Sequence, residues 1–66
     1  MNDELIRFCE ESAEETQSIA NDYNGIAGMK VEAYAHEASA KNLRAIAEKL
    51  RQHEELVEAL ENLLAV

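Results

Sequence analysis

LRAIAEKLRQHEELVEALENLL, residues 43–64, is the stretch that decides the fold. Within it Leu43, Ile46, Leu50, His53, Val57, Leu60 and Leu64 recur at alternating spacings of three and four. That is the a/d stripe of a helix that packs lengthwise on another helix. The spacing predicts a helix over about residues 39–64. Ala47, Leu56, Ala59 and Leu63 widen the apolar face beyond a bare seam, as in a helix with more than one neighbour. His53, the polar member, stands in the middle of the run, where a polar residue commonly sets register at some cost in stability.

The charges on this segment are polarised. Lys41, Arg44, Lys49 and Arg51 occupy its first half, and Glu54, Glu55, Glu58 and Glu61 its second. A helix dipole favours the reverse order, so the arrangement has a local cost and calls for a tertiary reason. Two copies packed antiparallel would set basic half against acidic half, with the two His53 side chains meeting near a two-fold axis. The competing explanation is that an acidic helix of the same chain covers the basic half.

Upstream, residues 3–22 supply such a helix. Leu5, Ile6, Cys9, Ala13, Thr16, Ile19, Ala20 and Tyr23 recur at three- and four-residue steps, flanked by Phe8, with Glu10, Glu11, Glu14 and Glu15 on the other side. Asn2 or Asp3 is the expected N-cap, and Gly25 the expected left-handed stop in a turn over residues 23–28. Residues 29–38 read two ways. Met29, Val31, Ala33 and Ala35 alternate with Lys30, Glu32, Tyr34 and His36, which is a strand pattern. Met29, Ala33, His36, Ala40 and Leu43 also form one helical stripe, and the alanines favour that helix from residue 33 onward. A strand at 29–34 would need its own copy in a dimer as its partner.

The chain has 66 residues, no proline, two glycines and one cysteine. The predicted fold class is mainly α: one small domain, a helix–turn–helix hairpin protomer in a four-helix or coiled-coil-like homodimer. So short a chain is marginal alone without disulfides, metal or oligomerisation. A single cysteine excludes an intrachain disulfide and points to a reducing compartment, the cytoplasm. The acidic start, Met1-Asn2-Asp3-Glu4, is not a secretory signal, and no run approaches the ~20 apolar residues of a membrane span. Fourteen acidic against six basic residues give a net charge of −8, the opposite of a nucleic-acid or anionic-membrane footprint.

No catalytic pattern stands out. His36-Glu37 and His53-Glu54 lack the second histidine of a zinc helix. Glu32 and His36 share a face without a third ligand nearby in sequence. Cys9 sits on the apolar face beside Glu10 and Glu11, which oppose thiolate formation. No cofactor or metal is expected, and the protein is expected not to be an enzyme. The dimer-interface candidates are Leu43, Ile46, Leu50, His53, Val57, Leu60 and Leu64. The candidate partner surface is Glu10, Glu11, Glu14 and Glu15, with Leu56 and Leu63.

Asn21-Asp22-Tyr23, the Gly28-Met29 step, Glu32-Ala33-Tyr34-Ala35-His36-Glu37-Ala38 and Leu43-Arg44-Ala45-Ile46-Ala47-Glu48-Lys49-Leu50 together resemble small early-region accessory proteins of lambda-like temperate bacteriophages. The resemblance covers residues 21–50. It implies a viral protein of the host cytoplasm that biases lytic against lysogenic development by binding a host or phage protein, and it brings no catalytic residues. The same features admit two alternatives, an acidic mimic that inhibits a nucleic-acid-binding protein and a structural oligomerisation module.

Overall fold

The computed structural model describes residues 2–65. It is a hairpin of two antiparallel helices, α1 (Asp3–Asn24) and α2 (Lys30–Leu64), joined by residues 25–29. Among the described residues there is no strand. At ~1.5 Å per residue the helices are about 33 and 52 Å long, so the hairpin is a rod of 61 × 16 × 10 Å.

The strand pattern at 29–34 is not realised: α2 begins at Lys30 and runs unbroken through it. The reason lies in the helical stripe. Ala33 and Ala40 are buried to within 1% exposure, a burial that alternation would have divided between two faces. Two local expectations also change. Gly25 is right-handed (φ −81), its N–H donates to the Asp22 carbonyl and the Ile26 N–H to that of Tyr23, so α1 extends to Asn24. The left-handed residue is Gly28, φ 85, which precedes Met29 at the start of α2. Neither Asn2 nor Asp3 caps α1 with its side chain. Instead the Asn2 backbone N–H donates to Glu54 Oε1 at 2.9 Å, which ties the start of α1 to α2.

The two helices meet along one seven-residue repeat. Lettered as heptads, position a is Ile6, Ala13 and Ala20 on α1, and Ala33, Ala40, Ala47 and Glu54 on α2. Position d is Cys9, Thr16 and Tyr23, then His36, Leu43 and Leu50. Every a residue but Glu54 is buried, and every d residue is buried or half-buried. Alanine at a lets the helix axes approach at the short end of ordinary packing, with the larger d side chains filling the space beside it. Leu50 packs on Ile6, Cys9 and Ala47 at one end of this seam. At the other, the Tyr23 and His36 rings stack with centroids 5.3 Å apart.

Among the described residues, five of the seven buried side chains are alanine, so the seam gains little from each. A buried methyl is worth about 0.8 kcal/mol, against about 1.5–3 kcal/mol for a whole leucine. Apart from Leu43 and Leu50, the leucines are elsewhere. Leu5, Phe8, Ile46, Leu56, Leu60, Leu63 and Leu64 are all exposed. The hairpin buries its small residues and leaves many of its large ones in water.

Candidate interaction surface

The seam has two flanks. On one lie the e positions, each following a d residue. Glu10 and Arg51 form an ion pair there at 2.6 Å, and Arg44 Nη1 donates to Gln17 Oε1 at 3.3 Å. Arg51 also approaches Glu48 at 3.9 Å. Hydrogen bonding to Glu10, and then its charge, raises the Arg51 pKa above an already high value, so the guanidinium stays cationic. These contacts join e to e across the seam, so the g positions, each preceding an a residue, share the opposite flank.

That second flank is almost free of charge. Its g residues are Leu5, Ser12 and Ile19 on α1, and Glu32, Ser39, Ile46, His53 and Leu60 on α2. The Ser39 hydroxyl is turned back onto the Ala35 carbonyl at 3.1 Å. Past Glu54, α2 continues without α1 beside it. This overhang, residues 55–64, is about 15 Å long. Leu56, Leu60, Leu63 and Leu64 lie along it at 59%, 51%, 73% and 86% exposure. An 86%-exposed leucine within a continuous apolar stripe is the kind of surface that marks an interaction site.

The predicted interface stripe is therefore split. Leu43 and Leu50 are half-buried d residues that touch α1, whereas Ile46, His53, Val57, Leu60 and Leu64 are exposed on the flank and overhang. Leu56 and Leu63 are exposed beside them. Of the predicted acidic surface, Glu10 is committed to Arg51, and Glu11, Glu14 and Glu15 face solvent on the outside of α1. That ion pair also supplies an intrachain reason for part of the polarity of α2. Cys9 is buried in the seam. Glu32 Oε2 is buried without a hydrogen-bond partner near the turn.

Among the described residues no three His, Cys, Asp or Glu side chains are grouped to hold a metal ion, and no helix is long and apolar enough to cross a membrane. The grooves are open and shallow. One, at the start of α1, is lined by Asn2, His53, Glu54, Val57, Glu58 and Glu61.

Sequence reasoning named most of the intrachain seam, in the stripes through Ile6, Cys9, Ala13, Thr16, Ala20 and Tyr23 and through Ala33, His36, Ala40 and Leu43, but missed its continuation through Ala47 and Leu50, although the signal is present. Ala13 and Ala20, then Ala33, Ala40 and Ala47, repeat the same residue at seven-residue spacing on both segments. Fold and surface together define a class: an antiparallel coiled-coil hairpin with an alanine seam, one charged flank and one apolar flank that runs on into an overhang. No protein-family model, curated protein or solved structure matches the chain.

Proposed function

We propose that this protein is a non-enzymatic interaction module that works by self-association through the apolar flank of α2. The observation that carries the reading is the stripe Ile46, His53, Val57, Leu60 and Leu64, uncovered along the flank and overhang while alanines fill the hairpin's own seam. A thin internal core beside a long uncovered apolar stripe is the division expected of a protomer whose remaining burial comes from a partner.

On this reading the homodimer is the working unit, and regulation follows from what it binds. The resemblance of residues 21–50 to early phage accessory proteins supports a role in which the dimer acts on a host or phage protein, without direct nucleic-acid or membrane contact and without a cofactor. The acidic-mimic alternative is weaker, because Glu10 is already paired within the chain.

The test is Leu60→Glu, at a site exposed in the protomer, followed by light scattering after gel filtration. The expected result is a dimer for the native chain and a helical monomer for the variant. A native chain that elutes as a monomer at every concentration overturns the proposal.

A further inference from the structure

We infer that the occupant of the apolar flank is a second copy laid antiparallel, with the two-fold axis at His53 and the overhang of each copy seated on the hairpin body of the other. This rests on the self-association reading above and adds its orientation and register.

Three observations converge on that geometry. First, the stripe is self-complementary. An isologous contact needs a patch that pairs with itself. Folding the seven stripe residues about His53 pairs Leu43 with Leu64, Ile46 with Leu60 and Leu50 with Val57, and sets His53 against its copy. Each of the three flanking pairs joins two aliphatic side chains.

Second, charge leaves this as the natural meeting face. Two chains of net charge −8 repel unless their contact excludes carboxylates. Between residues 42 and 64, the c, d and g positions are Asn42, Leu43, Ile46, Lys49, Leu50, His53, Leu56, Val57, Leu60, Leu63 and Leu64, with no Asp or Glu among them. Glu48, Glu54, Glu55, Glu58 and Glu61 all fall at a, b or e.

Third, the overhang has something to cover only in the antiparallel arrangement. A parallel pair would set overhang beside overhang, with no α1 at that level. The Asn2–Glu54, Tyr23–His36, Glu10–Arg51 and Gln17–Arg44 contacts bracket which levels of α1 and α2 lie side by side, and they set Leu43 level with about residues 13–18 of α1. With the axis at His53, Leu64 of one copy arrives beside Leu43 of the other, at the level between that copy's Ser12 and Ile19. The exposed α1 flank and the exposed overhang then cover each other.

The register is tested by mixing two variants at exposed positions, Ile46→Lys and Leu60→Glu. Each alone should weaken self-association by about 100-fold or more, because a charge enters an apolar contact. Mixed one to one, they should form a heterodimer approaching native affinity, since the lysine of one chain meets the glutamate of the other while Leu60 and Ile46 still pair at the second site. Circular dichroism of each variant alone confirms the helical hairpin. A second measurement reads the axis directly. His53→Cys should crosslink to its own copy under mild oxidation, and Leu64→Cys should not, with the native chain and its buried Cys9 as background.

Rescue on mixing with His53→Cys crosslinking supports the inference. A native dimer with no rescue, or with Leu64→Cys as the efficient crosslinker, overturns the antiparallel register and leaves self-association standing. A native chain that is monomeric throughout overturns both.

Discussion

The body of the hairpin and its overhang carry the same kind of helix and opposite kinds of surface. From Ala33 to Leu50, α2 presents small side chains to a helix packed against it, and its charges are in part committed across the seam. From Glu55 to Leu64 it presents leucines that, among the described residues, no part of α1 covers. Helix formation is therefore not what distinguishes them. The body is helical because a partner helix fixes it. The overhang is about three turns of helix, too short to hold firmly in isolation, and it draws its order from continuity with the body and, in our account, from a second copy.

The largest effect should come from breaking the overhang's side of that contrast. Leu60→Glu with Leu64→Glu should lower dimer affinity by several hundred-fold or more and reduce helix content at 55–64, while the body's unfolding midpoint at high dilution stays close to the native value. Sedimentation and residue-resolved hydrogen exchange check the two halves of this statement. Equal loss of protection in both regions would show that they do not behave separately.

Next is the seam. Ala40→Leu forces a large side chain between helices that meet through alanine, at a site with no exposed surface. It should cost about 1–3 kcal/mol of hairpin stability, read from denaturant unfolding. The same change at Ala59, exposed on the overhang, should stay within about 0.5 kcal/mol of native. Similar losses at both would remove the distinction between body and overhang.

The link that makes the body a hairpin gives a smaller effect. Gly28→Ala places a β-carbon on a residue at φ 85 with no described atom beyond its chain neighbours within 4 Å of it, so its cost is conformational, about 1–2 kcal/mol. Gly25→Ala, at a right-handed residue where the new β-carbon would lie 3.4 Å from the Asp22 carbonyl oxygen, should be near neutral in the same thermal melt. If Gly25 proved the sensitive position, the turn would not be the one described. The smallest effect belongs to the charged flank. Glu10→Gln removes the ion pair with Arg51, which is exposed on both sides. It should lower the melting temperature only slightly, and not at all in 1 M salt.

Much of this architecture is legible in the residues, and the part that is not has a physical cause. The helix over 43–64 follows from spacing alone, and a first helix from Asp3 follows from the steps between Ile6 and Tyr23. The stretch at 29–34 misleads because Lys30, Glu32, Tyr34 and His36 happen to alternate with apolar neighbours. What decides it is tertiary: Ala33 and Ala40 are needed on one side, against Ala13 and Ala20. The continuation of the seam past Leu43, through Ala47 and Leu50, is hidden for a related reason. Hydrophobic periodicity gives weight to leucine and isoleucine, so it selects the d and g stripe from Leu43 to Leu64. A close helix pair selects small residues, so the hairpin uses the a and d stripe instead. The two share Leu43 and Leu50 and part at Ile46, His53 and Leu60. The left-handed turn residue is ambiguous between Gly25 and Gly28 because each can end a helix, and only the path of the chain into Lys30 separates them.

The central claim is that the uncovered side of α2 is an interface between copies. Sedimentation equilibrium across a dilution series, with circular dichroism on the same samples, tests it most directly. The account predicts twice the protomer mass at high concentration, falling to the protomer mass on dilution together with a partial loss of helix. A chain that keeps the protomer mass and constant helicity at every concentration would contradict it.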